Sequence, residues 1–132
     1  MRYEVEILFG SGFDIWLHSY FLTGLIDLAR DGEIKLRNMK KEDQQYWNSL
    51  QQPGFPLFVL KIKRTDCNAS RVICFDPMDK SSVFQISCMA QVHHYYKRNF
   101  FRPYVEELPE DLREKVKPIN PIFAVWSGRL PL

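Results

Sequence analysis

The sequence predicts an α/β domain, three-layered and Rossmann-like, on a mostly parallel sheet. Three observations carry that expectation. Residues 71–100 read strand, helix, strand, with an apolar run at 72–75 that suits a buried strand. Residues 3–9 form an opening strand that leads through Gly10-Ser11-Gly12-Phe13-Asp14 into a long helical pattern. A chain of 132 residues, 45% apolar and 26% charged, suits one ordinary domain with one sizeable core.

The elements follow in order. Residues 3–9 alternate and then turn apolar, which predicts a central strand. Two glycines permit a tight turn, and Ser11 with Asp14 has spacing close to that of a capping box. From Asp14 to Arg30, Ile15, His18, Leu22, Leu25 and Ala29 share one helical face, while Leu17, Phe21 and Leu28 share another. So wide an apolar surface implies burial against more than one neighbour. Asp31-Gly32 stops that helix. Residues 33–37 alternate as a second strand. Residues 38–52 are polar and predict a short exposed helix or a loop, ended by Pro53-Gly54-Phe55-Pro56. Residues 57–64 give a third strand, and the turn-like segment 65–70 allows an antiparallel hairpin with 72–75. Pro77 closes that strand, because it cannot donate to a ladder. Asp79 or Ser81 then caps a helix carried by Val83, Ile86 and Ala90. Residues 92–96 are the next strand. Arg102-Pro103-Tyr104 begins a loop. Pro109-Glu110-Asp111 starts a short helix that Leu112 and Val116 dock. Residues 122–126 read as a last strand or linker. The chain stops on Arg129-Leu130-Pro131-Leu132, an apolar end that suggests the front part of a longer protein or a truncated gene product.

If the strands at 72–75 and 92–96 are parallel, Asp76, Asp79, Lys97 and Arg98 face one another at the carboxyl edge of the sheet, where open parallel sheets bind ligands. The cations suit a carboxylate or phosphate, and an aspartate suits sugar hydroxyls. The plain alternative is a helix cap and a surface ion pair. Gly10, Ser11 and Gly12 form a second candidate, able to approach a ligand through backbone N–H groups. Position 15 is Ile15, so the dinucleotide fingerprint GxGxxG is not met. Tyr95, Tyr96, Phe100, Phe101 and Tyr104 surround the basic pair; they suit stacking on sugars, or packing in a core and an interface.

A net charge of +2 with no basic cluster argues against nucleic acid. The sequence shows no secretory signal and no run long enough for an integral membrane segment. Cys67, Cys74 and Cys88 lack CxxC spacing, which predicts reduced thiols in a cytoplasmic protein. His93 and His94 point to opposite faces of a strand, so no metal site is expected, and His18 reads as a core histidine. No nucleophile elbow, P-loop or Cys–His signature is present, so catalytic residues are unassigned and no cofactor is expected.

Phe75-Asp76 with Asp79, then Tyr95 to Phe100, then Lys117-Pro118 resembles the amino-terminal domain of a bacterial two-Rossmann-domain glycosyltransferase. The likeness spans roughly residues 57–125. It implies an acceptor-side domain that works with a second, donor-binding domain absent from this chain. It implies transfer from a nucleotide-sugar to a glycan or lipid-linked acceptor, with the isolated chain inactive. Gly10, Ser11, Gly12, Asp76, Asp79, Lys97 and Arg98 would line the cleft. A stand-alone binding or protein-interaction module is the rival expectation, and a homo-oligomer is left open.

Overall fold

A computed structural model describes residues 2–8, 15–52 and 57–119, and of residues 15–20 the backbone alone. The strands are β1 (Tyr3–Ile7), β2 (Ile34–Asn38), β3 (Phe58–Arg64), β4 (Ser70–Asp76), β5 (His94–Lys97) and β6 (Val116–Pro118). The helices are α1 (Ile15–Arg30), α2 (Lys41–Leu50), α3 (Ile86–Met89), α4 (Arg102–Glu106) and α5 (Glu110–Arg113). One six-stranded sheet has the order β2-β1-β3-β4-β5-β6. β1 pairs parallel with β2, β4 with β5, and β5 with β6. β3 pairs antiparallel with both β1 and β4, so it runs against the other five. The expected hairpin is the β3–β4 pair, in register from Phe58 opposite Phe75 to Lys63 opposite Ser70.

Period-two alternation gives each strand two faces, and the two faces hold separate cores. Val5, Ile7, Phe58, Leu60 and Phe75 point to one side, where Leu22 of α1 joins them. Phe21 stacks on Phe75 with ring centroids 4.1 Å apart. Leu8, Val59, Cys74, Tyr95 and Val116 point to the other side, against Trp47, Cys88, Met89, Val105 and Leu112. β3 shows why a mixed strand fits the middle of the sheet. Phe58, Val59 and Leu60 are buried on both faces, whereas Arg64, at its far end, is exposed.

The structure corrects the sequence reading at five places. The helix expected from Asp79 or Ser81 to Ala90 is only α3, four residues long. Pro77, two serines, Val83 and Phe84 precede it, a run of weak helix formers. Neither Asp79 nor Ser81 caps it; the position before α3 is Gln85, without a side-chain cap bond. The loop expected at 102–104 is helix α4, with a proline in its first turn where no N–H is needed. Residues 41–50 are a helix, and it is not wholly exposed, because Trp47 is buried in the second core. Val116 docks beside Leu112, but from strand β6 rather than from a helix. β4 begins at Ser70, two residues early, because the antiparallel ladder with β3 recruits its polar start. The strand or linker expected at 122–126 lies outside the described residues.

A candidate site at the carboxyl edge of the sheet

β4 and β5 end side by side, with Asp76 opposite Lys97 in register. Both side chains point to the second-core face, two residues beyond Cys74 and Tyr95. They are 1% and 0% exposed, so the pair is buried, not the surface ion pair that sequence allowed. Lys97 Nζ donates to Asp76 Oδ2 at 3.1 Å, and Tyr95 donates its hydroxyl proton to the same oxygen. The Met78 N–H donates to Asp76 Oδ1 at 3.0 Å, which turns the chain just after Pro77. The Gln85 N–H donates to the Tyr95 hydroxyl oxygen at 3.3 Å. Lys97 Nζ lies 5.2 Å from the centre of the Phe84 ring, a cation–π contact. The non-helical segment 77–85 thus lies over the pair, and its irregular path supplies the donors.

Burial, first, and the neighbouring Asp76 carboxylate push the Tyr95 hydroxyl well above its ordinary range. It therefore stays protonated and serves as a donor. Burial likewise raises the thiol of Cys74 well above normal and that of Cys88 to about 11. Both remain neutral packing groups, while Cys67 is exposed. His93 N–H donates to the Val72 carbonyl at 2.8 Å, and its Nδ1 accepts from the Val72 N–H at 3.0 Å. His94 faces Tyr96 with ring centres 6.3 Å apart. Burial, then the nearby positive charges of Lys117 and Arg71 with the neighbouring His93 ring, lower the pKa of His94.

The rim is more open. Arg98 Nη1 lies 3.1 Å from Asp79 Oδ1, with side chains 27% and 86% exposed. It also donates to the Pro77 carbonyl at 3.3 Å, and the Asn99 side-chain amide donates to the Asp79 carbonyl. Phe101, 51% exposed, meets Tyr104 edge to face at 5.3 Å. All four sequence-predicted residues of this edge therefore come together, in two layers. Asp76 and Lys97 form a closed base, and Asp79 and Arg98 form an accessible lip. Gly10, Ser11 and Gly12, and the side chain of His18, lie outside the described residues. The sequence reading missed the hydroxyl of Tyr95 and the covering role of Phe84 and Gln85. The signal was a tyrosine two residues before Lys97, on the same strand face.

The described cavities do not coincide with this edge. One of about 420 Å³ sits at the opposite end of the sheet, lined by Arg2, Tyr3, Arg64, Thr65 and Asp66. Among the described residues no three His, Cys, Asp or Glu side chains converge as metal ligands, and no helix is long and apolar enough to cross a membrane. No protein-family model, curated protein or solved structure matches this chain.

Proposed function

We propose that this chain is the acceptor-side domain of a glycosyltransferase, a three-layer Rossmann-like unit. It would act with a donor-binding domain, on a nucleotide-sugar and a glycan or lipid-linked acceptor, in the cytoplasm. The observation that carries the reading is the carboxyl edge of β4 and β5. There a sealed Asp76–Tyr95–Lys97 network holds two parallel strand ends rigid beneath Arg98, Asp79, Phe101 and Tyr104. Cores on both faces of one sheet support the architecture, and three unpaired thiols suit a reducing compartment.

The geometry changes the division of labour. Lys97 and Asp76 are too enclosed to touch a ligand and act as positioning residues. Arg98 is the group that can meet a carboxylate or phosphate on an acceptor, and the exposed ring pair can stack on a sugar face. Glycosyl transfer breaks the bond from the anomeric carbon to the nucleotide diphosphate and forms one to an acceptor hydroxyl. The donor domain would hold most of the nucleotide.

Calorimetric titration with a panel of nucleotide-sugars and anionic oligosaccharides tests this. The expected result is weak binding of an anionic oligosaccharide that Arg98→Ala abolishes, with no binding of nucleotide-sugars to this chain alone. Nucleotide-sugar binding by the isolated chain, or oligosaccharide binding indifferent to Arg98→Ala, would overturn it. Silence toward both panels would instead favour a protein-interaction module presenting Phe101 and Tyr104.

A further inference from the structure

The segment between Pro77 and Gln85 is fastened at both ends and loose between them. Pro77 and Gln85 are buried. Gln85 Oε1 accepts from the Gln52 N–H at 2.9 Å, and the Gln85 carbonyl accepts from the Met89 N–H at 2.9 Å. In the middle, Asp79, Lys80 and Ser82 are exposed. The Val83 N–H closes a turn on the Lys80 carbonyl at 3.3 Å, within the segment. The ties that leave it run to the strand ends. The Met78 N–H meets Asp76, while Asp79 is held by Arg98 through its carboxylate and by Asn99 through its carbonyl. Among the described residues, both side-chain partners of Arg98 belong to this stretch: Asp79 Oδ1 at 3.1 Å and the Pro77 carbonyl at 3.3 Å.

A cover over apolar surface resists opening, because water penalises the area exposed. Here the groups beneath are Asp76 and Lys97, an ion pair whose burial carries a desolvation cost. Opening returns both charges to water and recovers part of that cost. Over the ammonium lies the ring of Phe84, with its centre 5.2 Å from Lys97 Nζ. Lifting the segment leaves the sheet intact, since the β4–β5 ladder ends at Asp76 and Lys97, before the segment begins. Few apolar contacts and exposed polar residues are the marks of a unit that opens locally.

We propose that residues 78–84 are a latched cover, that Asp79 is the internal anion holding Arg98, and that an outside carboxylate or phosphate releases the cover by replacing Asp79. This rests on the reading of Arg98 as the anion contact and adds the regulation of that site. In the closed form Arg98 is occupied by Asp79; in the open form it is free. A ligand shifts an equilibrium only by its difference in affinity for the two states, and an anion at Arg98 favours the open one. Anion binding therefore uncovers Asp76 and Lys97, and by reciprocity a loosened cover binds the anion more tightly.

The test is amine labelling of the native full chain with a succinimidyl ester at low urea, with Lys97 followed by peptide mass spectrometry. Inorganic phosphate is the anion, and sodium chloride at equal ionic strength is the control. Lys97 should react in the native state, with a urea slope well below that of global unfolding. Phosphate should quicken that labelling. Asp79→Asn should quicken it about threefold without phosphate, the scale of an exposed ion pair, and lower the phosphate concentration needed by a similar factor. Arg98→Ala should label fast and ignore phosphate; if it does not fold, Asp79→Asn carries the test. Labelling that needs global unfolding, or a wild-type rate that phosphate leaves unchanged, would overturn the proposal. Release by phosphate in a chain that binds no oligosaccharide would sustain the latch and remove the acceptor reading alone. Oligosaccharide binding that depends on Arg98 yet leaves Lys97 protected would remove the latch alone.

Discussion

Asp76→Asn tests the buried network most directly. The substitution keeps the shape and removes the charge that Lys97 Nζ meets at 3.1 Å. Lys97 is 0% exposed, so its ammonium would be left in the core without a counter-charge. Breaking one side of a buried pair costs about 3–5 kcal/mol. Lys97→Met should cost less, about 3 kcal/mol, because Tyr95 and the Met78 N–H still donate to the carboxylate. The double variant should lose no more than the worse single one, a coupling of about 3 kcal/mol, the smaller single loss. Urea unfolding followed by far-ultraviolet circular dichroism measures all three. Domains of this size are stable by only about 5–15 kcal/mol, so Asp76→Asn can leave too little fold to measure. Tyr95→Phe is the milder probe: it removes one donor to Asp76 and the acceptor of the Gln85 N–H, for about 1–3 kcal/mol. Losses under about 1 kcal/mol in every variant, the range of surface pairs, would refute the buried network. Additive single losses would refute the coupling.

Three further outcomes follow from the same structure. Asp79→Ala should change the unfolding midpoint little, under about 1 kcal/mol, since its carboxylate is 86% exposed; a large loss would mean that the lip is structural. Cys67 should react with a thiol reagent in the native state while Cys74 and Cys88 wait for unfolding, because they are buried and protonated; three equally fast thiols would contradict the packing. The pKa of His94 is depressed in the fold by burial and by nearby cations. Stability from that group is therefore complete above about pH 6.5, its unfolded value, and falls as pH drops through the folded value. Urea midpoints should fall between pH 7.5 and 5.5, less so in His94→Gln. An equal fall in the variant would place the dependence elsewhere.

Much of this architecture could be read one element at a time. Apolar alternation and the Gly32 stop place β1, α1 and β2 within a residue or two, because local periodicity follows local geometry. The turn at 65–70 announces the β3–β4 hairpin. Short helices were harder. Four-residue α3 and five-residue α4 are too brief for a 3.6-residue period to show, and they exist because tertiary contacts hold them. The lip at Asp79 and Arg98 was legible because strand ends and their charged residues are adjacent in the chain.

The sequence by itself determined which residues reach the carboxyl edge: Asp76 ends one strand, Lys97 ends another, and parallel pairing aligns them. Only the tertiary structure decided that these two are sealed while Arg98 and Asp79 are open. The path of 77–85 across the strand ends sets that division, and it depends on donors from Met78 and Tyr95 and the ring of Phe84 meeting in space. The same holds for Glu6. Alternation placed its side chain on a sheet face, but β2 and β3 bring Arg37 and Lys61 beside it from 31 and 55 residues away in the chain. Hydrogen bonding and burial act through space, and a one-dimensional pattern carries no distance.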